Sequence, residues 1–397
     1  MALKNVFIPY GAYWTTPFCR WQGSLAREHS MELAGRVAAG FLEERRIDPR
    51  RFDSLHLGLT VYQRQSFYGA PWLAALMGAE ALTGPTVAQA CATSARLLAG
   101  AALEVESGLS DCALAVACDR TSNGPHVYFP DAAAPGGTGA AEDPVIGNFS
   151  MDPHAGLAMV ETAENVARDA GIGRSEQEDL ALLRYEQYCE ALADERAFQK
   201  RYMQPVELRR GRKVTGVVEA DEGVHPTTRE GLGRLRPVLE GGTITYGTQT
   251  HPADGNAGLV VTTAERAREL ARDSAIEVRV LGWGDARVGK GMMPKATVPA
   301  ARAALERSGL TVADCTAIKT HNPFAVADAY FCRELGVAAE NVNRYGSPLV
   351  WGHPQAPMGL RVVIELIEEL AERGGGVGLF SGCAAGDTAM ALCLRVD

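Results

Sequence analysis

Short uninterrupted apolar runs alternate along the chain with stretches in which apolar residues recur every three or four positions. The first pattern predicts buried strands, and the second predicts helices with a packed face. Residues 6–9 and 54–60 read as strands, and residues 31–44 read as a helix with a start signal at Ser30. The segment QACATSARLLAGAALEVESGLSDCALAVACD is more telling. Residues 94–105 are almost wholly apolar, interrupted mainly by Arg96, Gly100 and Glu104. Such a stretch predicts a helix buried on nearly every side. A strand over 113–117 follows a short Gly/Ser/Asp turn.

The same plan returns near the C-terminus in GLRVVIELIEELAERGGGVGLFSGCAAGDTAMALCL. A helix again leads through a Gly-rich turn to an apolar strand and a cysteine. Ser94 to Cys118 and Gly359 to Cys383 both span 24 positions, which suggests an internal duplication. Between these halves the texture changes. Residues 121–152 are rich in Gly, Pro, Ala and Asp, two helical runs follow at 161–169 and 175–193, and a charged stretch, RRGRKVTGVVEADEG, comes next. We read the region as an insertion on a repeated core. Its Gly-rich loop neither follows a clear strand nor ends in Gly-Lys-Ser/Thr, so it does not match a phosphate loop.

Composition narrows the class. The 397 residues are 46% hydrophobic and 22% charged, which excludes disordered and fibrous chains. The formal charge of −9 argues against nucleic acid as a main partner, because phosphate binding calls for a basic footprint. No apolar run approaches a membrane span, and the N-terminal stretch has no h-region or small-residue cleavage site. Nine cysteines without a CxxC pair resemble neither a disulfide framework nor a zinc site, so a soluble cytoplasmic protein with no bound metal is expected.

Four islands combine reactive side chains with small residues. Cys91, in Gln89-Ala90-Cys91-Ala92-Thr93-Ser94, lies where the chain enters the buried helix. The N–H groups and partial positive charge of a helix start stabilise a thiolate, although most free cysteines are simply small buried hydrophobes. His353, in Trp351-Gly352-His353-Pro354, precedes the second buried helix as a base or a structural turn histidine. Cys383 ends an apolar strand in Ser381-Gly382-Cys383-Ala384-Ala385-Gly386. Lys319-Thr320-His321-Asn322-Pro323-Phe324 reads as a polar turn between a strand and a helix.

Together these islands resemble the thiolase superfamily over nearly the whole chain. A cysteine at the start of a buried helix, a Gly-His-Pro motif and a late cysteine followed by glycine occur here in the family's order and spacing. TAENVARDAGIGRSEQEDLAL, DEGVHPTT with LRPV, and GTITYGTQTHPADGNAGLVV resemble the family's loop-domain helices, the segment after them and the returning strand. The resemblance implies that Cys91 carries the acyl group as a thioester, that His353 takes its proton, and that Cys383 moves a proton at the α-carbon. His321 stands where many members have the asparagine of an Asn-Glu-Ala-Phe motif. His-Asn-Pro-Phe is closer to the His-Asp-Cys-Phe pattern of sterol-carrier-protein-type thiolases, and His321 would then donate to a thioester oxygen with His353. A cysteine at position 383 favours thiolase chemistry over decarboxylating condensation.

The implied fold is the five-layered αβαβα thiolase fold. Residues 1–118 with 248–272 would form one half, 273–397 the other, and 119–247 an inserted loop domain over the active site. The implied reaction is cleavage of a 3-oxoacyl-CoA by coenzyme A, with condensation as its reverse and no covalently bound cofactor. Thr250, His251, Gly382 and Gly386 would touch the acyl-CoA. Arg212, in the basic cluster with Arg209, Arg210 and Lys213, would either meet CoA phosphates or sit in a solvated turn. Thr250-His251 replaces the family's usual Ser-Gly, and Gln355-Ala356-Pro357-Met358 replaces Leu-Gly-Ala-Ser. Both changes point to a reshaped acyl pocket, with Tyr128, Phe129 and Tyr246 as rim candidates for a bulky or aryl group. A homodimer or dimer of dimers is implied. The alternatives are a decarboxylating or acyl-transferring condensing enzyme of the same superfamily, and a subunit acting with a small zinc-ribbon/OB-fold protein.

Overall fold

The two stretches that are apolar on nearly every side become two helices packed against each other at the centre of the molecule. A computed structural model describes residues 3–397. In it Thr93–Ser107 and Met358–Glu372 are the central helices, the second buried from Met358 to Leu370. They approach closely because position 359 has no side chain. A Cβ there would lie 2.9 Å from the Cβ of Ser94.

A sheet covers each side of this pair. The first runs in the order Tyr13–Thr15, Ala253–Thr262, Cys112–Arg120, Ser54–Gly58, Thr86–Val87. The second runs Val278–Arg287, Thr388–Val396, Gly376–Ala384, Cys315–His321. In both, the third strand is antiparallel to the second and parallel to the fourth. The repeated helix-turn-strand unit thus sits in equivalent places in two sheets of like topology. Ser30–Glu44 and Gly69–Leu76 cover the outer face of the first sheet, and Thr297–Arg307 and Ala325–Leu335 pack outside the second. The result is the αβαβα layering.

Several local expectations shift. The expected strand at 6–9 is an isolated bridge: Phe7 pairs with Thr262 of one sheet and Arg279 of the other, so backbone bonding is divided between two neighbours. Ser30 is the first helical residue and its hydroxyl caps nothing; the N-cap is His29. The strand expected over 54–60 ends at Gly58, because the Asp119 carboxylate takes the Thr60 and Val61 amides instead. The charged stretch forms a hairpin, Val206–Arg210 with Lys213–Val218.

The chain between Arg120 and Ala253 carries the helices Met159–Ala170 and Arg174–Ala191. Their apolar faces pack on Phe324, Ala325, Val326, Leu349 and Cys383 of the second half. The buried pair of Arg361 with Asp221, at 2.6 Å, ties this segment to a central helix. All nine cysteines are free, and no described helix is long and apolar enough to cross a membrane.

Candidate active site

The two halves meet where both central helices begin. Cys91 stands two residues before the first of them in a tight turn, with Ala90 held at φ +42°. The Thr93 hydroxyl fastens that turn by donating to the Ala90 carbonyl at 2.7 Å and accepting the Gln89 amide at 2.8 Å. A positive φ at a non-glycine residue costs conformational energy, and the bonds around it keep Cys91 aimed into a cavity.

His353 comes from the equivalent turn of the second half. Its backbone pairs with His251 and Ala253, and its Nδ1 accepts the Gln355 amide at 3.0 Å. The turn is pinned at Ala356, whose amide donates to Asp119 at 2.8 Å and whose carbonyl accepts the Ser94 hydroxyl. Both partners belong to the first half, so the alignment of Cys91 and His353 depends on contacts across the interface.

His321 ends the strand Cys315–His321 and is fully buried. Its Nδ1 lies 2.9 Å from the Cys383 carbonyl oxygen and 4.0 Å from the Cys383 sulfur. Gly382 sits beside it in register, and a Cβ at 382 would lie 2.9 Å from the His321 Cβ. The His321 and His353 rings meet edge to face with centroids 4.7 Å apart. One nitrogen of each ring and the Cys91 sulfur all lie within 4.8 Å of one another.

Burial sets the protonation of this group. It pushes the Cys91 thiol up to about 12, against the opposing pull of the Ala385 and Cys91 backbone N–H groups. Burial thus works against the thiolate stabilisation expected from the helix start. His353 falls to about 4, chiefly through burial. His321 is driven well below the usual imidazole range by burial and then by neighbouring His353, and Cys383 is raised well above its usual range by burial and then by Cys91. The resting site is thus two thiols and two neutral imidazoles.

A cavity of about 390 Å³ opens onto Cys91, His321 and His353. Its walls are mainly apolar, from Ile146, Phe149, Met159, Val160, Val238, Met293, Pro323 and Phe324, with Ala385 at its floor. Gln249, Thr250 and Tyr246 also line a neighbouring space of about 660 Å³, which reaches outward past His251, Gly223, His225 and Arg20.

The other candidates fare unequally. Thr250 lines both spaces and His251 lines the outer one. Cys383 lies behind the cavity wall, fully buried. Gly382 seats His321 and lines neither space, and Gly386 makes the turn between two strands at φ +82°. Arg212 lies at the exposed tip of its hairpin and lines neither space. Tyr128 and Phe129 are exposed in another hairpin away from both linings, and only Tyr246 of the expected aromatics is a rim residue. The apolar wall escaped sequence reading because its residues come from segments far apart in the chain.

Family models for the thiolase N-terminal domain and the thiolase C-terminal domain match residues 12–265 and 274–396. The chain belongs to the thiolase family. Curated relatives of this thiolase include the beta-ketoadipyl-CoA thiolase of Pseudomonas knackmussii, 30% identical with 96% of each chain covered. Another is the acetyl-CoA acetyltransferase of Escherichia coli, 30% identical with 94% of this chain and 95% of the relative covered. Among solved structures, the Bacillus anthracis acetyl-CoA acetyltransferase superposes with a TM-score of 0.89 at 26% identity, covering 100% of both chains. Human mitochondrial 3-ketoacyl-CoA thiolase in complex with CoA superposes with a TM-score of 0.90 at 24% identity, covering 100% of this chain and 99% of that one. This thiolase is accordingly an acyltransferase of a family that works on CoA thioesters.

Proposed function

We propose that this thiolase cleaves a 3-oxoacyl-CoA with a bulky or aromatic acyl group, through an acyl thioester on Cys91. The observation that carries this reading is the placement of Cys91 beside two neutral imidazoles at the base of a largely apolar cavity of about 390 Å³. A volume of that size holds more than an acetyl group.

In the first half-reaction the Cys91 sulfur bonds to the 3-oxo carbon and its proton passes to a histidine. The C2–C3 bond then breaks with its electron pair on C2. Cys383 supplies the proton that converts this carbanion to the departing acyl-CoA, and the histidine's proton restores Cys383. In the second half-reaction the thiol of CoA attacks the thioester, giving the shortened acyl-CoA and returning a proton to Cys91. Splitting the reaction over a cysteine avoids a direct attack of CoA on a ketone. Thr250 and His251 line the route by which the pantetheine arm would reach Cys91. The reverse condensation uses the same groups, and a homodimer is the expected assembly.

Intact-protein mass spectrometry after incubation with acyl-CoA thioesters tests the reading. An acyl adduct on the wild type, absent as a thioester from Cys91→Ser, is expected, with arylacyl-CoA among the donors. An undiminished thioester adduct in Cys91→Ser refutes the nucleophile.

A further inference from the structure

What the walls of the inner cavity lack is charge. Among the described residues, no Asp, Glu, Lys or Arg side chain lines it. Two of its hydroxyl groups are already engaged: Ser150 donates to the Ile146 carbonyl at 2.8 Å, and Thr250 donates to the Pro348 carbonyl at 2.5 Å. Tyr246 and Gln249 stand where the inner cavity meets the outer space. Arg20 lines only that outer space, along the route assigned to the pantetheine arm. The two helix starts that border the wall offer an anion nothing either. Met159 and Val160 open one of them, and its Glu161 carboxylate accepts the Ala158 amide at 2.6 Å. The wall residue Phe324 caps the other, which carries Asp328 in its first turn, paired with Arg184. The positive field of each helix end, which draws anions, thus already faces a carboxylate.

Resting on the acyl-enzyme reading, we infer that the group transferred to Cys91 is an uncharged one, and that this thiolase discriminates against acyl chains ending in a carboxylate. Once Cys91 holds the acyl carbon, the chain beyond it lies in the inner cavity against Phe149, Met159, Val160 and Val238. One nitrogen of each imidazole lies within 4.8 Å of the Cys91 sulfur, so both rings serve the thioester and not the far end of the chain. A carboxylate at that far end exchanges its water shell for methyl, methylene and phenyl groups. An ionised group buried without a partner is strongly disfavoured, whereas an alkyl or aryl terminus in the same place gains from burial. The cavity therefore reads charge as well as size. A branched alkyl terminus has nearly the shape of a carboxylate and none of its charge.

Glutaryl-CoA and 5-methylhexanoyl-CoA form a matched pair for the test, because methyl groups in the second replace the carboxylate oxygens of the first. The full-length protein is incubated with each, and the thioester on Cys91 is timed by intact mass and peptide mapping. Cys91→Ser supplies the blank for uncatalysed transfer. At pH 7.5 the glutaryl group should load on the order of 100-fold more slowly, a barrier difference of about 2.7 kcal/mol. A buried carboxylate without a partner accounts for a penalty of that size. At pH 5.5 about 6% of ordinary carboxyl groups are protonated, so the gap should narrow several-fold relative to the 5-methylhexanoyl baseline. Loading rates within about threefold of each other at pH 7.5 overturn the inference and leave the acyl-enzyme reading intact. So does a gap that stays constant between the two pH values, because its cause is then not the charge. Loading of neither chain on Cys91 overturns both.

Discussion

Replacing Asp328 by asparagine tests how the turn carrying His321 is held. Asp328 lies in the helix Ala325–Leu335 with its side chain buried, paired with the fully buried Arg184 at 2.8 Å. The same carboxylate accepts from Thr320, from Asn322 at 2.8 Å and from Asn343 at 3.2 Å. One buried anion therefore binds both neighbours of His321 and balances a buried cation. In Asp328→Asn the new amide would present a single oxygen and two hydrogens to donors that all require an acceptor, and it would leave Arg184 without a counter-charge. Breaking a buried ion pair from one side costs about 3–5 kcal/mol. With an unfolding entropy of about 2.1 cal/mol/K per residue over 397 residues, that corresponds to a melting-point drop of roughly 4–6 °C. Differential scanning calorimetry at fixed protein concentration measures the drop, and the rate of Cys91 acylation measured in parallel should fall with it. A melting point within about 1 °C of wild type would refute the claim that this carboxylate organises the turn.

Gly382→Ala should displace His321, whose Cβ would lie 2.9 Å from the new methyl group; overpacking of this kind costs about 1–3 kcal/mol, and its mark is a greater loss of acylation than of melting temperature. Gly359→Ala should cost a similar amount where the central helices touch at Ser94, about 1–3 kcal/mol by chemical denaturation, and a neutral result would show that the helix pair can part freely. His353 has a folded value of about 4, below the ordinary histidine range, so the unfolded chain binds the proton first as pH falls. Stability should therefore be full above about pH 6.5 and decline toward pH 4, by about 3 kcal/mol from this group. Melting curves across that window should show a shallower decline in His353→Asn, and equal slopes would contradict the buried neutral imidazole.

Much of the site was legible because its chemistry sits at punctuation marks in the sequence. Cys91 and His353 each precede a stretch too apolar to be anything but central, and Cys383 follows the second such stretch at the same spacing as Cys118 follows the first. Features that depend on distant partners were not legible. The short strand 54–60 ends early because of Asp119, which is about sixty positions away in sequence, and the wall of Phe149, Met159, Met293 and Phe324 exists only once separate segments pack. The Cys91 thiol went the opposite way from expectation for a related reason. A helix start can be read locally, but the desolvation that raises the thiol comes from the whole surrounding shell. Arg212 was singled out by its charge alone, and whether a charged turn reaches a ligand depends on packing that charge does not reveal.

The duplicated plan also explains why the two halves contribute different chemistry. In the first sheet Gly58 pairs with Ala117, one residue before Cys118; in the second His321 pairs with Gly382, one residue before Cys383. Gly58 thus occupies the place equivalent to His321. A Cβ at Gly58 would lie 2.7 Å from Leu97 and 2.9 Å from Thr93, the residue that fastens the Cys91 turn, so the first half has no room for an imidazole there. Cys118 accordingly packs with Met31, Leu55 and Leu57 in the outer core, whereas Cys383 packs with Met159 and Phe324 beneath the segment that covers the cavity. The half that holds Cys91 keeps its helix start closely packed. The other half, freed from that demand, has space at the same topological point for a histidine poised between two thiols.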